Sequence, residues 1–192
     1  MKKRILALLL AVCVACSMLI LPASASGSNT AVQTAVTLGG LTSDQTANLA
    51  APLTRGALTK LMVAFSAYRE SAKTQGSTGT LFSDVSSGST YAPYVRIAVQ
   101  QGWISGYTDG SFHPDAPITR AEAMTLINRV LCRMPETKAD LLDSMTKWPD
   151  NQPGAWYYLA VQEATNSHTY EQKDSKYETW TALTAEPDWS KY

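Results

Sequence analysis

The pattern in this sequence best suited to chemistry is an arginine placed directly after a helix-capping threonine, and it occurs twice. Ala51-Pro52-Leu53-Thr54-Arg55 returns as Ala116-Pro117-Ile118-Thr119-Arg120. A threonine in this setting serves as an N-cap, so each arginine stands at the first helical position, beside backbone N–H groups with no partner inside the helix. A helix start carries partial positive charge, and a guanidinium there can grip a carboxylate through two parallel hydrogen bonds. The chemistry is anion binding. Arg120 and Arg55 are its candidate residues, and Thr119 stands beside the first of them.

Other reactive side chains read as structural. Glu122 lies at the third helical position after Thr119 and completes a Thr-x-x-Glu capping box, which already employs its carboxylate. Asp109-Gly110 marks a tight turn, and Asp84 is expected to cap the following helix or close a local turn. Asp109 and Asp115 lack the ligand series of a calcium loop. His113 and His168 have no partner at metal-ligand spacing, so no metal site is expected. Trp103, Tyr107 and Phe112 are expected to pack in the core or loop. No nucleophile is paired with a base and no phosphate loop occurs, so no catalytic residue is assigned.

The elements that position the arginines follow from apolar spacing. Between Tyr91 and Gln101, Tyr94, Ile97 and Ala98 recur at helical intervals, and Gly102 supplies a stop. Pro114 and Pro117 keep the chain extended until Thr119. Beyond it, Ala123, Leu126, Ile127, Val130 and Leu131 form one apolar stripe, with Ile118 placed to staple onto Ala123. The earlier copy has the stripe Leu58, Leu61, Met62 and Phe65. Its third helical position is Ala57, so half the box is missing. That helix start is expected to fray or to be held by tertiary contacts.

The copies extend beyond the pentapeptide. Ala35-Val36 and Gly39 correspond to Ala98-Val99 and Gly102, Phe82-Ser83-Asp84-Val85 to Trp148-Pro149-Asp150-Asn151, and Ile97-Ala98-Val99-Gln100 to Leu159-Ala160-Val161-Gln162. Three units result, at about 31–70, 81–133 and 148–192. A helix–loop–helix unit this small cannot bury its stripe alone, whereas three together can. The expected fold is mainly α, a pseudo-threefold bundle of such units with the third degenerate.

The N-terminus speaks to compartment. Lys2, Lys3 and Arg4 precede an apolar run from Ile5 to Leu21, then Pro22 and Ala23-Ser24-Ala25, so residues 1–25 are expected to be a cleaved signal peptide and 26–30 a loose tail. Removing three cations and no acid from a chain with 16 basic and 16 acidic residues leaves it net acidic by three. That is no footprint for nucleic acid. Only Cys132 remains after cleavage, which excludes a disulfide framework and points to a buried, inert thiol.

These motifs resemble the S-layer homology family. The resemblance rests on Phe82, Asp84 and Val85, on Gly106-Tyr107 with Asp109, Gly110, Phe112 and Pro114, and on Thr119-Arg120-Ala121-Glu122. The first unit keeps Thr54-Arg55. The third keeps only its opening and first helix, then runs through Tyr177, Trp180 and Trp189 without a Thr-Arg pair. The resemblance implies non-covalent anchoring to a bacterial cell wall by binding an anionic, pyruvylated secondary cell-wall polysaccharide associated with peptidoglycan. On that reading Arg120, Arg55 and Thr119 contact the polymer, and Trp156 stands where family members stack an aromatic face on a sugar ring. Thr90 occupies that place in the middle unit. Other surface-layer proteins are further partners, and neither cofactor, enzymatic activity nor a retained transmembrane segment is implied. The alternative is an envelope protein–protein interaction module that has lost polymer binding.

Overall fold

A computed structural model describes residues 32–41, 51–75 and 81–186. The leader, tail and Trp189 lie outside them. The chain divides into two compact units, one reaching Ile118 and the other starting at Thr119.

The first unit is helical. Residues 32–37 form a helical segment, followed by α1 (Arg55–Phe65), α2 (Arg69–Thr74) and α3 (Ala92–Gln100). The apolar spacing of α1 turns Leu58, Leu61 and Met62 fully inward, and the helix packs on α2 and α3. Val95, Ile97, Ala98 and Phe112 complete this core. Each of these side chains larger than alanine contributes roughly 1.5–3 kcal/mol on burial.

Gly102 ends α3 as its position predicts. Its φ is +68°, its N–H reaches the Val99 carbonyl at 2.9 Å, and the Trp103 N–H reaches the Ala98 carbonyl at 2.9 Å. The equivalent Gly39, φ +75°, repeats this geometry, with the Gly39 and Gly40 N–H groups on Val36 and Ala35. The same pair of bonds closes both helices, because a left-handed residue that ends a helix favours glycine.

The second unit holds α4 (Arg120–Leu131), a 3₁₀ turn (Lys138–Asp140), α5 (Tyr158–Thr165), and strands β1 (His168–Gln172) and β2 (Glu178–Leu183). Leu126 and Ile127 bury the centre of the expected stripe, while Val130 and Leu131 are only half-buried. Asn128 Nδ2 donates to the Ala160 carbonyl at 2.9 Å, joining α4 to α5.

This unit overturns the expected mainly α, pseudo-threefold bundle. Where a third helical repeat would continue, β1 and β2 pair antiparallel, with Tyr170 opposite Trp180, Gln172 opposite Glu178, and an irregularity between Thr169 and Tyr170. The segment is rich in threonine and aromatic residues and carries no helical stripe, so it suits a pleated, half-buried surface. Asp174 closes the turn by accepting from the N–H groups of Lys176 and Tyr177 at 2.7 and 2.8 Å. At the same end, Asp140 accepts from Thr179 and Lys173 at 2.8 and 3.0 Å. Burial works against the Asp140 carboxylate, but these donors and Thr137 outweigh it and hold its pKa at about 2.

Candidate binding site

The start of α4 is built as its residues predict. Thr119 is extended at φ −75°, ψ 157°, and its hydroxyl oxygen accepts from the Glu122 N–H at 3.3 Å. Glu122 Oε2 accepts in return from the Thr119 N–H at 2.9 Å and from its hydroxyl at 2.7 Å. Thr119 is therefore engaged in fixing the helix start. Arg120 at the first helical position is exposed and makes no hydrogen bond or ion pair among the described residues. In the same unit Trp156 is 69% exposed and makes a T-shaped ring contact with Tyr157, with centroids 5.4 Å apart at 83°.

The start of α1 is different. Thr54 caps it, accepting from the Ala57 N–H at 3.2 Å, but no glutamate returns the bond. Tertiary contacts hold it instead, through Arg55 N–H to the Ala116 carbonyl at 2.9 Å and Gly56 N–H to the Pro114 carbonyl at 2.7 Å. Gly56 is required for this approach, since a Cβ there would lie 2.9 Å from the Pro114 carbonyl oxygen and 2.8 Å from the Tyr91 ring. Arg55 is drawn into the 105–113 loop. Its Nη2 donates to the Ser105 carbonyl at 2.6 Å, and its guanidinium lies 4.7 Å from the Phe112 centroid and 5.2 Å from that of Tyr107.

That loop is shaped by two carboxylates. Asp109 accepts from the Ser111 N–H at 2.9 Å across the turn at Gly110, whose φ is +80°. Asp84 does not cap the following helix, which has no side-chain cap, and it reaches well beyond a local turn. Its two oxygens accept from the N–H groups of Phe112 and His113 at 2.8 and 2.7 Å, across 28 and 29 residues. Desolvation acts against its charge, but these N–H donors prevail and set its pKa below the ordinary value. Phe112 and Trp103 are buried as expected, whereas Tyr107 is 45% exposed beside Arg55.

Residues 81–124, which carry Asp84, this loop and the Thr119–Glu122 box, match the S-layer homology domain family. Two relatives from Acetivibrio thermocellus share sequence with the chain. A cellulosome-anchoring protein is 36% identical over 77 residues, which is 40% of this chain and 16% of that protein. Cell surface glycoprotein 1 is 37% identical over 83 residues, 43% of this chain and 3% of that protein. The chain thus matches only a small part of either relative. No solved structure matches it.

Outside the matched residues, the structure assembles a cluster that the spacing of its residues conceals. Glu163 on α5, His168 on β1 and Glu178 on β2 each bring a ligand-type atom within 4.8 Å of the others. His168 Nε2 lies 3.0 Å from Glu178 Oε1 and 3.3 Å from Glu163 Oε2, and its Nδ1 donates to the Asn166 carbonyl at 2.7 Å. The three donors are of a kind that binds metal, but Arg133 already supplies a cation there. Its Nη2 lies 2.9 Å from Glu163 Oε1 and 2.9 Å from His168 Nε2. The cluster is a buried ionic junction. His168 is far from isolated, and only the hairpin register reveals why.

Cys132 also departs from expectation. It is exposed rather than buried, and it closes α4 with a left-handed backbone at φ 53°, ψ 41°.

Proposed function

We propose that this chain attaches non-covalently to a bacterial cell wall by binding an anionic secondary cell-wall polysaccharide, with Arg120 as the carboxylate-binding residue. One observation carries the reading: within the residues that match the S-layer homology family, a fully capped helix presents at its first position an exposed guanidinium that makes no hydrogen bond or ion pair among the described residues. Backbone N–H groups and the helix dipole favour an anion at that place, and the planar guanidinium can hold both oxygens of a pyruvyl carboxylate. Thr119 acts by fixing the helix start, and the exposed face of Trp156 offers a stacking surface for a sugar ring. Arg55 is a second contact, held by its loop in one orientation. The named roles of the two relatives, at the cell surface and in anchoring, support a wall location after secretion.

The test is sedimentation of the purified chain with isolated wall sacculi, before and after extraction of the secondary polymer and after removal of its pyruvyl groups. Binding is expected to vanish with the polymer and to weaken with loss of the carboxylates. Arg120→Ala should lower affinity about 10- to 100-fold, the worth of a charged bidentate contact, and leave helix content unchanged. Equal binding by the variant removes Arg120 from the site. Retention by polymer-free, protein-only layers supports a protein–protein module instead.

A further inference from the structure

We propose that the β1–β2 hairpin is a pH-released latch, fastened by a buried four-charge junction of Arg133, Glu163, His168 and Glu178. This device is independent of polymer binding. The geometry places one residue of the junction on each of four segments: Arg133 just beyond α4, Glu163 on α5, His168 on β1 and Glu178 on β2. Side-chain exposure is 2% for Glu163, 1% for His168 and 0% for Glu178, with Arg133 at 21%. Water therefore screens these charges little, and their balance decides whether the elements stay together.

Two anions face two cations only while His168 is protonated. Its Nδ1 faces the Asn166 carbonyl and must carry a proton, so the switch is the proton on Nε2, which faces Glu178 and Glu163. Burial and the nearby Arg133 oppose that proton, and the carboxylates overcome them, raising the His168 pKa to about 9. Glu178 is pushed upward by burial and by Glu163, against the pull of His168 and Arg133. Tyr170 and Trp180 also face His168, at ring distances of 6.4 and 4.0 Å, and neither offers a replacement charge.

The sign follows from linkage. A histidine held above its ordinary value stabilises the fold fully below about 6.5, and that contribution is lost as pH rises through about 9. Above it, two buried carboxylates share one guanidinium. The elements with the weakest other attachment give way first, and β1 is exposed from Thr169 to Gln172. The Glu178 N–H bond to the Met134 carbonyl, 2.9 Å, and the buried Trp180 would open with them.

Two measurements on the purified chain test the latch. NMR titration of His168 should place its pKa well above that of an exposed histidine. Amide exchange, corrected for intrinsic rate, should show hairpin protection falling at least roughly tenfold between pH 7 and pH 10, while protection in α1 and α3 holds. In His168→Gln, hairpin protection should be low at both pH values and lose its pH dependence. If that variant fails to fold, the unmodified chain still decides. An ordinary or depressed His168 pKa means that Nε2 accepts from Arg133, and it overturns the proposal, as does hairpin protection that is the same at pH 7 and pH 10.

Discussion

The two Thr-Arg helix starts share a sequence but not a structure. At Thr119 the cap is reciprocal, because Glu122 returns the bond that Thr119 gives, and Arg120 remains exposed. At Thr54 the third position is Ala57, so the start depends on the 105–118 strand of chain and the arginine is folded into the loop. A complete capping box thus holds the start of α4 while its neighbour Arg120 stays exposed. At the incomplete one the neighbour, Arg55, is itself held by the 105–113 loop.

The sharpest way to break this contrast is to truncate both arginines and compare stability. Arg55→Ala removes a charged hydrogen bond to Ser105 and the contact with two rings. It should lower stability by about 2–3 kcal/mol. Arg120→Ala, with no partner to lose among the described residues, should stay within about 0.5 kcal/mol of the parent, as surface changes usually do. Urea denaturation monitored by circular dichroism checks both. Equal effects would mean that the two starts do the same job.

Asp84→Asn probes the loop that receives Arg55. The amide keeps the shape but loses charge and one of two acceptors for the Phe112 and His113 N–H groups. A loss of about 1–2 kcal/mol is expected. Because the Asp84 pKa is lowered on folding, its stabilisation is present above the ordinary carboxylate value and disappears as pH falls through the folded one. Thermal midpoints of parent and variant should therefore converge in acid. A gap that stays constant down to strongly acidic pH would show that charge plays no part.

What was legible in the sequence divides along the same line. The cap at Thr119, the box with Glu122, the turn at Asp109 and Gly110, and the stop at Gly102 all close within a few residues, so spacing alone reveals them. The role of Asp84 closes over 28 residues, and the Arg133–Glu178 contact joins residues equally invisible to a local pattern. The hairpin was missed for a related reason. Its preference for a pleated surface was readable, but the repeat upstream argued for another helix, and the alternation of His168, Tyr170 and Gln172 is too short to outweigh a repeat. The exposed ring of Tyr107 carried no signal distinct from that of Phe112.

Smaller effects test the caps themselves. Thr119→Ala and Thr54→Ala should each cost about 1 kcal/mol. Thr119→Ala should also free Glu122, so Glu122→Ala made in that background should add less than it does alone. No such coupling is available to Ala57. A double-mutant cycle at the first site therefore measures the reciprocity that the second site lacks. Strict additivity of Thr119 and Glu122 would refute the closed-box account.

Helix ends extend the comparison to its smallest effect. Gly39 and Gly102 occupy left-handed positions at φ +75° and +68°, and Cys132 occupies one at φ 53° without being glycine. The Cys132 and Arg133 N–H groups reach the Arg129 and Asn128 carbonyls at 3.2 and 2.9 Å, the bond pattern that Gly102 and Trp103 make at the end of α3. A residue bearing a Cβ in this conformation is disfavoured by roughly 1 kcal/mol. The flexibility that glycine adds to the unfolded chain offsets part of that. Cys132→Gly should accordingly raise stability by about 0.5 kcal/mol, measured in urea under reducing conditions. Because the thiol is exposed, no packing is lost to mask the gain. Cys132→Ala retains the Cβ and should show no gain. If alanine stabilised as much as glycine, the backbone conformation at Cys132 would not be the source of strain.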